Sequence, residues 1–342
     1  MWHGVTHIAG LYPDRTAAQD FMTYGAGLAN DLGFSTIKLE LSSAYNTTKY
    51  PGQLWPGGIT TLAGLVAAAP VATVIGQFDR VWFSVFSLVQ PTDNLWGQQW
   101  TTTIGQSIET EFYDMCVYLL TNYANKEFIV SNWEGDWQLL LAFNPAAAIK
   151  RSTLYAYRDW QRRRRRALRA AQLAVPGSSS TISFAIEVNR VLDGWDPRLT
   201  TDVVSNVGAD VVGLSMYEAI EGWWQGLTQE QLLADIEAKM TAIVTKVRLY
   251  HSGDIVISEF GWPIFQSTFV AGNYDVGALI QKVIDVGDSL GIVGEIYWQI
   301  LDNEQISPGN PMGFCLYDRN GSSTTVGSLN ASGTFYQNLL AL

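Results

Sequence analysis

The feature that most constrains this chain is an alternation: short apolar runs recur along its length, each followed by a loop and a longer segment of helical period. Runs that are apolar throughout suit strands buried on both faces, as in a parallel sheet covered by helices. Eight such runs are expected as strands, at 4–9, 35–41, 80–86, 127–131, 181–187, 211–215, 255–258 and 293–298. Apolar spacing places helices at 14–31, 60–68, 102–123, 145–174, 200–207, 228–247, 274–290 and 325–340. The expected fold is therefore α/β, a (β/α)8 TIM barrel, with residues 1–342 as one domain. An open doubly wound sheet holding a nucleotide needs a glycine turn after its first strand. The segment His7-Ile8-Ala9-Gly10-Leu11-Tyr12 supplies none, and no Walker-type loop occurs elsewhere.

Composition narrows the partners. A net charge of -11 and a pI near 4.7 argue against nucleic acid and favour an uncharged ligand. No stretch is apolar for long enough to span a membrane. Arg162 to Arg166 form a basic run inside the fourth expected helix, but successive helical residues turn by about 100°, so the five cannot face one ligand. They are expected to be solvated or paired with acids. His3, His7 and His251 are too few and too scattered for a metal-dependent hydrolase site, and neither metal nor cofactor is expected. Cys116 and Cys315 allow one bridge or two free thiols. The start, Met1-Trp2-His3-Gly4, has no secretory leader pattern. Few lysines and thirteen tryptophans nonetheless tilt the expectation towards a secreted protein, with a cytoplasmic location as the alternative, and a monomer is expected. The glycosylation tripeptides at Asn46 and Asn330 are too common by chance to decide.

In such a barrel, the residues that do chemistry lie at the C-terminal strand ends and in the loops that follow. Those positions hold Tyr12 and Asp14, Glu40 and Tyr45, Ser84 and Ser87, Asn132 and Glu134, Glu187 and Asn189, Tyr217 and Glu218, Glu259, Trp298 and Asp302. Two glutamates stand out by their surroundings. Ser131-Asn132-Trp133-Glu134-Gly135-Asp136-Trp137 sets a carboxylate among indoles, and apolar walls raise a carboxyl pKa enough for it to donate a proton. Val256-Ile257-Ser258-Glu259-Phe260-Gly261-Trp262-Pro263 is a β-branched run that stops on a glutamate. Trp298, in Ile296-Tyr297-Trp298-Gln299, offers a flat face for a sugar ring. Ten tryptophans fall at or after strand ends, among them Trp55, Trp96, Trp100, Trp195, Trp223 and Trp224, as in a cleft with several sugar subsites.

These motifs resemble the clan of retaining glycoside hydrolases with an acid/base after strand four and a nucleophile after strand seven. The 258–263 segment is similar to that of the plant-type β-1,3-glucanases, and also to the galactanase and mannanase families. The resemblance implies Glu134 as acid/base and Glu259 as nucleophile, with Tyr217 and Trp298 at the clan's positions after strand six and on strand eight. Asn132, Trp133, Tyr12, Glu40, Trp137, Glu187 and Trp262 are the further candidates for substrate contact. Two departures are visible in the residues: Trp133 stands between Asn132 and Glu134, and the arginine usual near the second strand end is replaced by Lys38 or Glu40. Glu187 reads as a structural ion pair, and Asp136 as a substitute acid. The expected activity is endo-type cleavage of a β-linked oligo- or polysaccharide, a β-glucan by the glucanase-like segment, through double displacement. A catalytically silent carbohydrate-binding barrel and a transglycosylase are the alternatives.

Overall fold

The structure, a computed structural model, describes residues 1–8, 20–52, 55–90, 100–140, 149–193, 198–302, 305–307, 310–319 and 326–342. Eight parallel strands close a barrel in chain order: β1 (Trp2–Thr6), β2 (Thr36–Leu41), β3 (Arg80–Val85), β4 (Glu127–Ser131), β5 (Thr181–Val188), β6 (Val211–Ser215), β7 (Asp254–Phe260) and β8 (Gly294–Tyr297). β1 closes the ring by pairing with both β2 and β8. The outer layer contains α1 (Phe21–Asp31), α2 (Leu62–Ala67), α3 (Ala69–Gln77), α4 (Thr102–Asn122), α5 (Gly135–Leu140), α6 (Arg151–Ala174), α7 (Ser205–Val207), α8 (Tyr217–Ile220), α9 (Gln229–Arg248), α10 (Ser267–Ala271), α11 (Val276–Ser289) and α12 (Ala331–Leu340).

Strand periodicity sorts the core into two shells. Trp82, Ile129, Ala185, Val211, Val256 and Ile296 point inward and fill the barrel, while their neighbours, such as Phe83, Phe128 and Ile257, pack under the helices. Gly213 is dictated by this filling. A Cβ there would lie 2.8 Å from Ser258 Oγ and 3.0 Å from the Trp82 ring.

The strands fall close to the expected positions; the differences lie between them. Residues 60–77 hold two helices, because Pro70 sits in the first turn of α3, where its missing N–H costs nothing. The segment expected as helix at 325–340 becomes helical only at Ala331, capped by the Asn330 side chain, and Val326–Leu329 pairs antiparallel with Tyr317–Arg319. Residues 200–207 form a π-helical turn, Leu199–Val204, running into α7. Residues 14–19 and 145–148 of two expected helices lie outside the described residues.

Cys116 and Cys315 are free and buried. Asn330 is buried, donates to Cys315 O at 2.8 Å and accepts from Gly333 N at 3.0 Å, so its amide serves the fold. The arginine run divides by helical face. Arg163 and Arg166 pair with Glu109, at 3.2 and 2.7 Å. Arg162 and Arg165 donate to the carbonyls of Asn206 and Val207. Arg164 is buried, stacked 4.5 Å from the Trp160 ring and bonded to Ser131 O at 2.6 Å. Arg162, Arg165, Arg166 and Arg169 share one outward face of α6 and border a cavity of about 600 Å³ outside the barrel. No described helix is long and apolar enough to cross a membrane.

Candidate active site

The C-terminal mouth of the barrel holds a buried cluster of one ammonium and three carboxyl groups, contributed by four strands. Lys38 is an inward residue of β2 and is 2 % exposed. Its Nζ donates to Glu187 Oε2 at 2.7 Å, to Ser258 O at 3.1 Å and to Glu259 Oε2 at 3.3 Å. Burial by itself would lower the lysine pKa, but the charges of Glu187 and Glu259 outweigh it and raise the pKa above its ordinary value. Of Lys38 and Glu40 on β2, Lys38 is the one that enters the cluster. Glu40 turns instead to Lys49, at 2.8 Å.

Glu259 reaches this cluster through a bulge. Strict alternation from Val256, which lies inside the barrel, would send Glu259 outward. The register of β7 shifts against both β6 and β8 here, and both Ile257 and Phe260 lie in the outer core. Ser258 and Glu259 therefore both face the mouth, the re-aiming that a bulge provides. Gly261 follows because a Cβ there would lie 2.4 Å from Trp298 O. Burial pushes the Glu259 carboxyl well above the ordinary carboxylate range; Lys38 pulls it down, and the charges of Glu134 and Glu187 push it up.

Glu134 arrives from the other side with strained backbone. Its φ is 29°, a left-handed value that L-residues other than glycine rarely adopt. Its bonds include three that hold it there: its N–H donates to Glu187 Oε1 at 2.8 Å, its Oε1 accepts from Ser215 Oγ at 2.8 Å, and its carbonyl accepts from the Trp137 N–H at 3.0 Å. Ser215 is also the register partner of Glu259 across β6 and β7. One hydroxyl on β6 thereby fixes the Glu134 carboxyl beside the strand that carries Glu259. Strain of this kind, about 1–3 kcal/mol, gathers at functional sites.

The remaining candidates divide. Tyr217 opens α8 just after Met216, whose N–H donates to Glu259 O at 2.8 Å, and its ring meets Phe314 edge-on at 5.9 Å. Trp298 is 6 % exposed and its N–H donates to Phe260 O at 2.7 Å. Trp133 and Trp137 are half-buried after β4, and the Arg190 guanidinium lies 5.5 Å from the Trp137 ring. Asn132 is fully buried and knits β4 to β5: it donates to Glu187 O at 3.0 Å and accepts from Glu187 N at 3.2 Å and Gln161 Nε2 at 3.1 Å. Trp262 is 0 % exposed in the outer core, so it presents no face to a ligand. Tyr12, Asp14, Trp96 and Trp195 lie outside the described residues.

Asp136 is a clamp rather than a second acid. Its carboxylate accepts from the N–H groups of Asn189, Arg190 and Leu199 at 2.9–3.1 Å. Glu218 likewise accepts from Val191 and Leu192 N–H. Other tryptophans pack loops: Trp55 Nε1 donates to Tyr50 O and Trp100 Nε1 to Asp159. Trp224 is 55 % exposed and stacked on Trp223 at 4.1 Å. Sequence reasoning missed Ser215 altogether. Its role depends on Glu134, which is brought to it from β4 across the barrel, and no local pattern announces that partner.

Comparison with known proteins bears on the fold. No family model and no curated protein matches the chain. Solved glycosidase barrels do match. An exo-β-1,4-mannosidase, Op5Man5 from Opitutaceae bacterium strain TAV5, is 15% identical, with a TM-score of 0.62 over 100% of this chain and 59% of that one. A GH5_18 structure from Bifidobacterium longum subsp. infantis is 11% identical, with a TM-score of 0.65 over 100% of this chain and 78% of its own. A β-mannanase from Thermomonospora fusca is 13% identical, with a TM-score of 0.52 over 100% and 91%. The chain thus spans about three fifths of the mannosidase. At these identities the likeness establishes the barrel.

Proposed function

We propose that this protein is a retaining glycoside hydrolase acting on β-linked sugars, with Glu259 as nucleophile and Glu134 as acid/base. The observation that carries the reading is the convergence of the two glutamates: Ser215, the strand partner of Glu259, donates to the Glu134 carboxyl. In the first step a Glu259 oxygen attacks the anomeric carbon while Glu134 protonates the departing glycosidic oxygen. In the second, Glu134 removes a proton from water, which displaces Glu259 from the sugar. Lys38 favours the ionised form of Glu259 that attack requires. Trp298, Trp133 and Tyr217 border the site as ring platforms and hydrogen-bonding partners.

The preferred sugar is a β-linked hexopyranoside. The 258–263 segment favours β-glucan, and β-mannosides belong beside it in any screen because a mannosidase and a mannanase are among the structural neighbours. The two sugars differ by one hydroxyl at C2. The expected site of action is outside the cell, in keeping with a polymeric substrate. The test is hydrolysis of β-glucans, β-mannans, galactans and chitin-type glycans, with anomeric configuration followed by proton NMR. Retained products and loss of turnover in Glu259→Ala are expected. An inverted product, or full activity in Glu259→Ala, would overturn the assignment.

A further inference from the structure

Glu187 touches both halves of the site without being either reacting group. One of its oxygens receives Lys38 at 2.7 Å, closer than Lys38 stands to Glu259, and the other receives the Glu134 N–H at 2.8 Å. The residue is 0 % exposed, so water does not share these bonds. Among the described residues, the charged groups acting on Glu259 are Lys38 from β2, Glu134 after β4 and Glu187 from β5. Other nearby charges are engaged elsewhere: Glu40 with Lys49, Glu295 with His3 and Tyr336, and Asp302 with the Gly313 N–H.

The reaction moves charge within this cluster: Glu259 loses its charge as it is esterified, and Glu134 gains one as it gives up its proton. When Glu259 attacks, its oxygen forms the bond to C1, and the C1–O bond to the leaving group breaks. The electron pair departs on that oxygen, which takes its proton from Glu134. Glu259 is then a neutral ester. A buried ammonium whose only counterion was Glu259 would be left unpaired, at a desolvation cost of several kcal/mol. Glu187 prevents that outcome, because its contact with Lys38 does not involve the oxygen that is esterified.

We propose that Glu187 is a positioning residue of the site: it is the standing counterion of Lys38, which keeps that lysine neutralised while Glu259 is esterified, and it holds the backbone of Glu134. The role rests on the double-displacement reading above. It makes two variants shift Glu259 in opposite directions. Glu187→Gln removes a like charge and releases Lys38 towards Glu259, both of which favour the ionised nucleophile. Lys38→Met removes the one cation that acts on Glu259 among the described residues.

The experiment is a pH titration of the Glu259 side-chain carboxyl by carbon-13 NMR in glutamate-labelled protein, assigned with Glu259→Gln. Glu187→Gln is expected to lower the Glu259 midpoint by about one pH unit, the scale on which neighbouring charges act. Lys38→Met is expected to raise it, which keeps the test open if Glu187→Gln does not fold. A midpoint unmoved in a folded variant, or moved the other way, overturns the proposal. In kinetics, the acid limb of kcat/KM is expected to follow the NMR midpoint, and less glycosyl-enzyme should accumulate with a 2-fluoro glycoside in Glu187→Gln. A fall in kcat with an unmoved limb would mark Glu187 as merely structural. If the midpoint moves while no glycoside is turned over, the counterion role stands and the hydrolase reading fails.

Discussion

Asp136 offers a direct test of how this site is held. The residue is 2 % exposed, and its three acceptor bonds tie α5, which follows β4, to the chain after β5 and to Leu199. Orphaning one buried N–H costs about 1–3 kcal/mol. Asp136→Ala orphans three, so about 3–9 kcal/mol is expected, against a total stability of about 5–15 kcal/mol for a folded protein. Asp136→Asn keeps one oxygen, which can accept two of the three N–H groups, and should cost about 1–3 kcal/mol. The assay is urea unfolding followed by tryptophan fluorescence, comparing midpoints at unchanged slope. Burial holds the Asp136 carboxyl above its ordinary value despite the three N–H donors. The folded state therefore binds the proton more readily than the unfolded one. Wild-type stability should fall as pH rises from the ordinary aspartate value through the folded-state midpoint, and Asp136→Asn should lack that slope. An Asp136→Ala protein within about 1 kcal/mol of wild type would refute the clamp. A folded Asp136→Asn protein whose turnover drops by about 10²-fold or more would instead make Asp136 the acid.

Further outcomes follow from the same contacts. Glu134→Gln should lower turnover of poor leaving groups by about 10²–10⁴-fold and spare activated aryl glycosides in the first step; equal losses on both would remove the acid role. The acid limb of wild-type kcat/KM should lie above the ordinary glutamate range, because burial raises Glu259 and attack needs its ionised form; a limb near the ordinary value would contradict this. Gly213→Ala should cost about 1–3 kcal/mol by overpacking the inner layer at Trp82, read as a lowered Tm. Neither Cys116, whose thiol burial pushes up to about 12, nor Cys315 should react with a thiol reagent until the protein unfolds.

The sequence was most legible where structure is local and repetitive. Apolar runs located all eight strands because a strand buried on both faces must be apolar throughout, whatever it packs against. The segment 326–329 was misread as helix because its strand character depends on pairing with 317–319, a partner that no local pattern announces. The expected helix ended at residue 68, whereas a second helix follows it with Pro70 in its first turn, where a missing N–H is tolerated. At the site, Glu134 and Glu259 were legible as charges at apolar strand ends. Trp262 was misjudged because a tryptophan just past a strand end looks the same whether the bulge before it turns the ring to the mouth or to the outer core.

Lys38 and Glu187 show where local reading stops. Each looked like a charge inside a strand, and an ion pair was the right expectation for Glu187. What the sequence could not show is that their partner strands, β2 and β5, stand apart around a closed barrel, so that the pair crosses the mouth. Closure turns an ordinary ion pair into the link between Glu134 and Glu259: the same Glu187 carboxylate receives the Glu134 N–H and the lysine that serves Glu259. The suitability of lysine over arginine at this place follows the same logic. An arginine presents a planar fork suited to one carboxylate in bidentate contact, whereas an ammonium has three donors that can be divided among separate acceptors. Lys38 divides them among Glu187, Glu259 and the Ser258 carbonyl. The lysine and the third glutamate therefore act as one unit, and changing either alone should disturb the site more than exchanging both for a neutral pair. A Lys38→Met/Glu187→Leu double variant that unfolds more readily than both single variants would show that the two are independent.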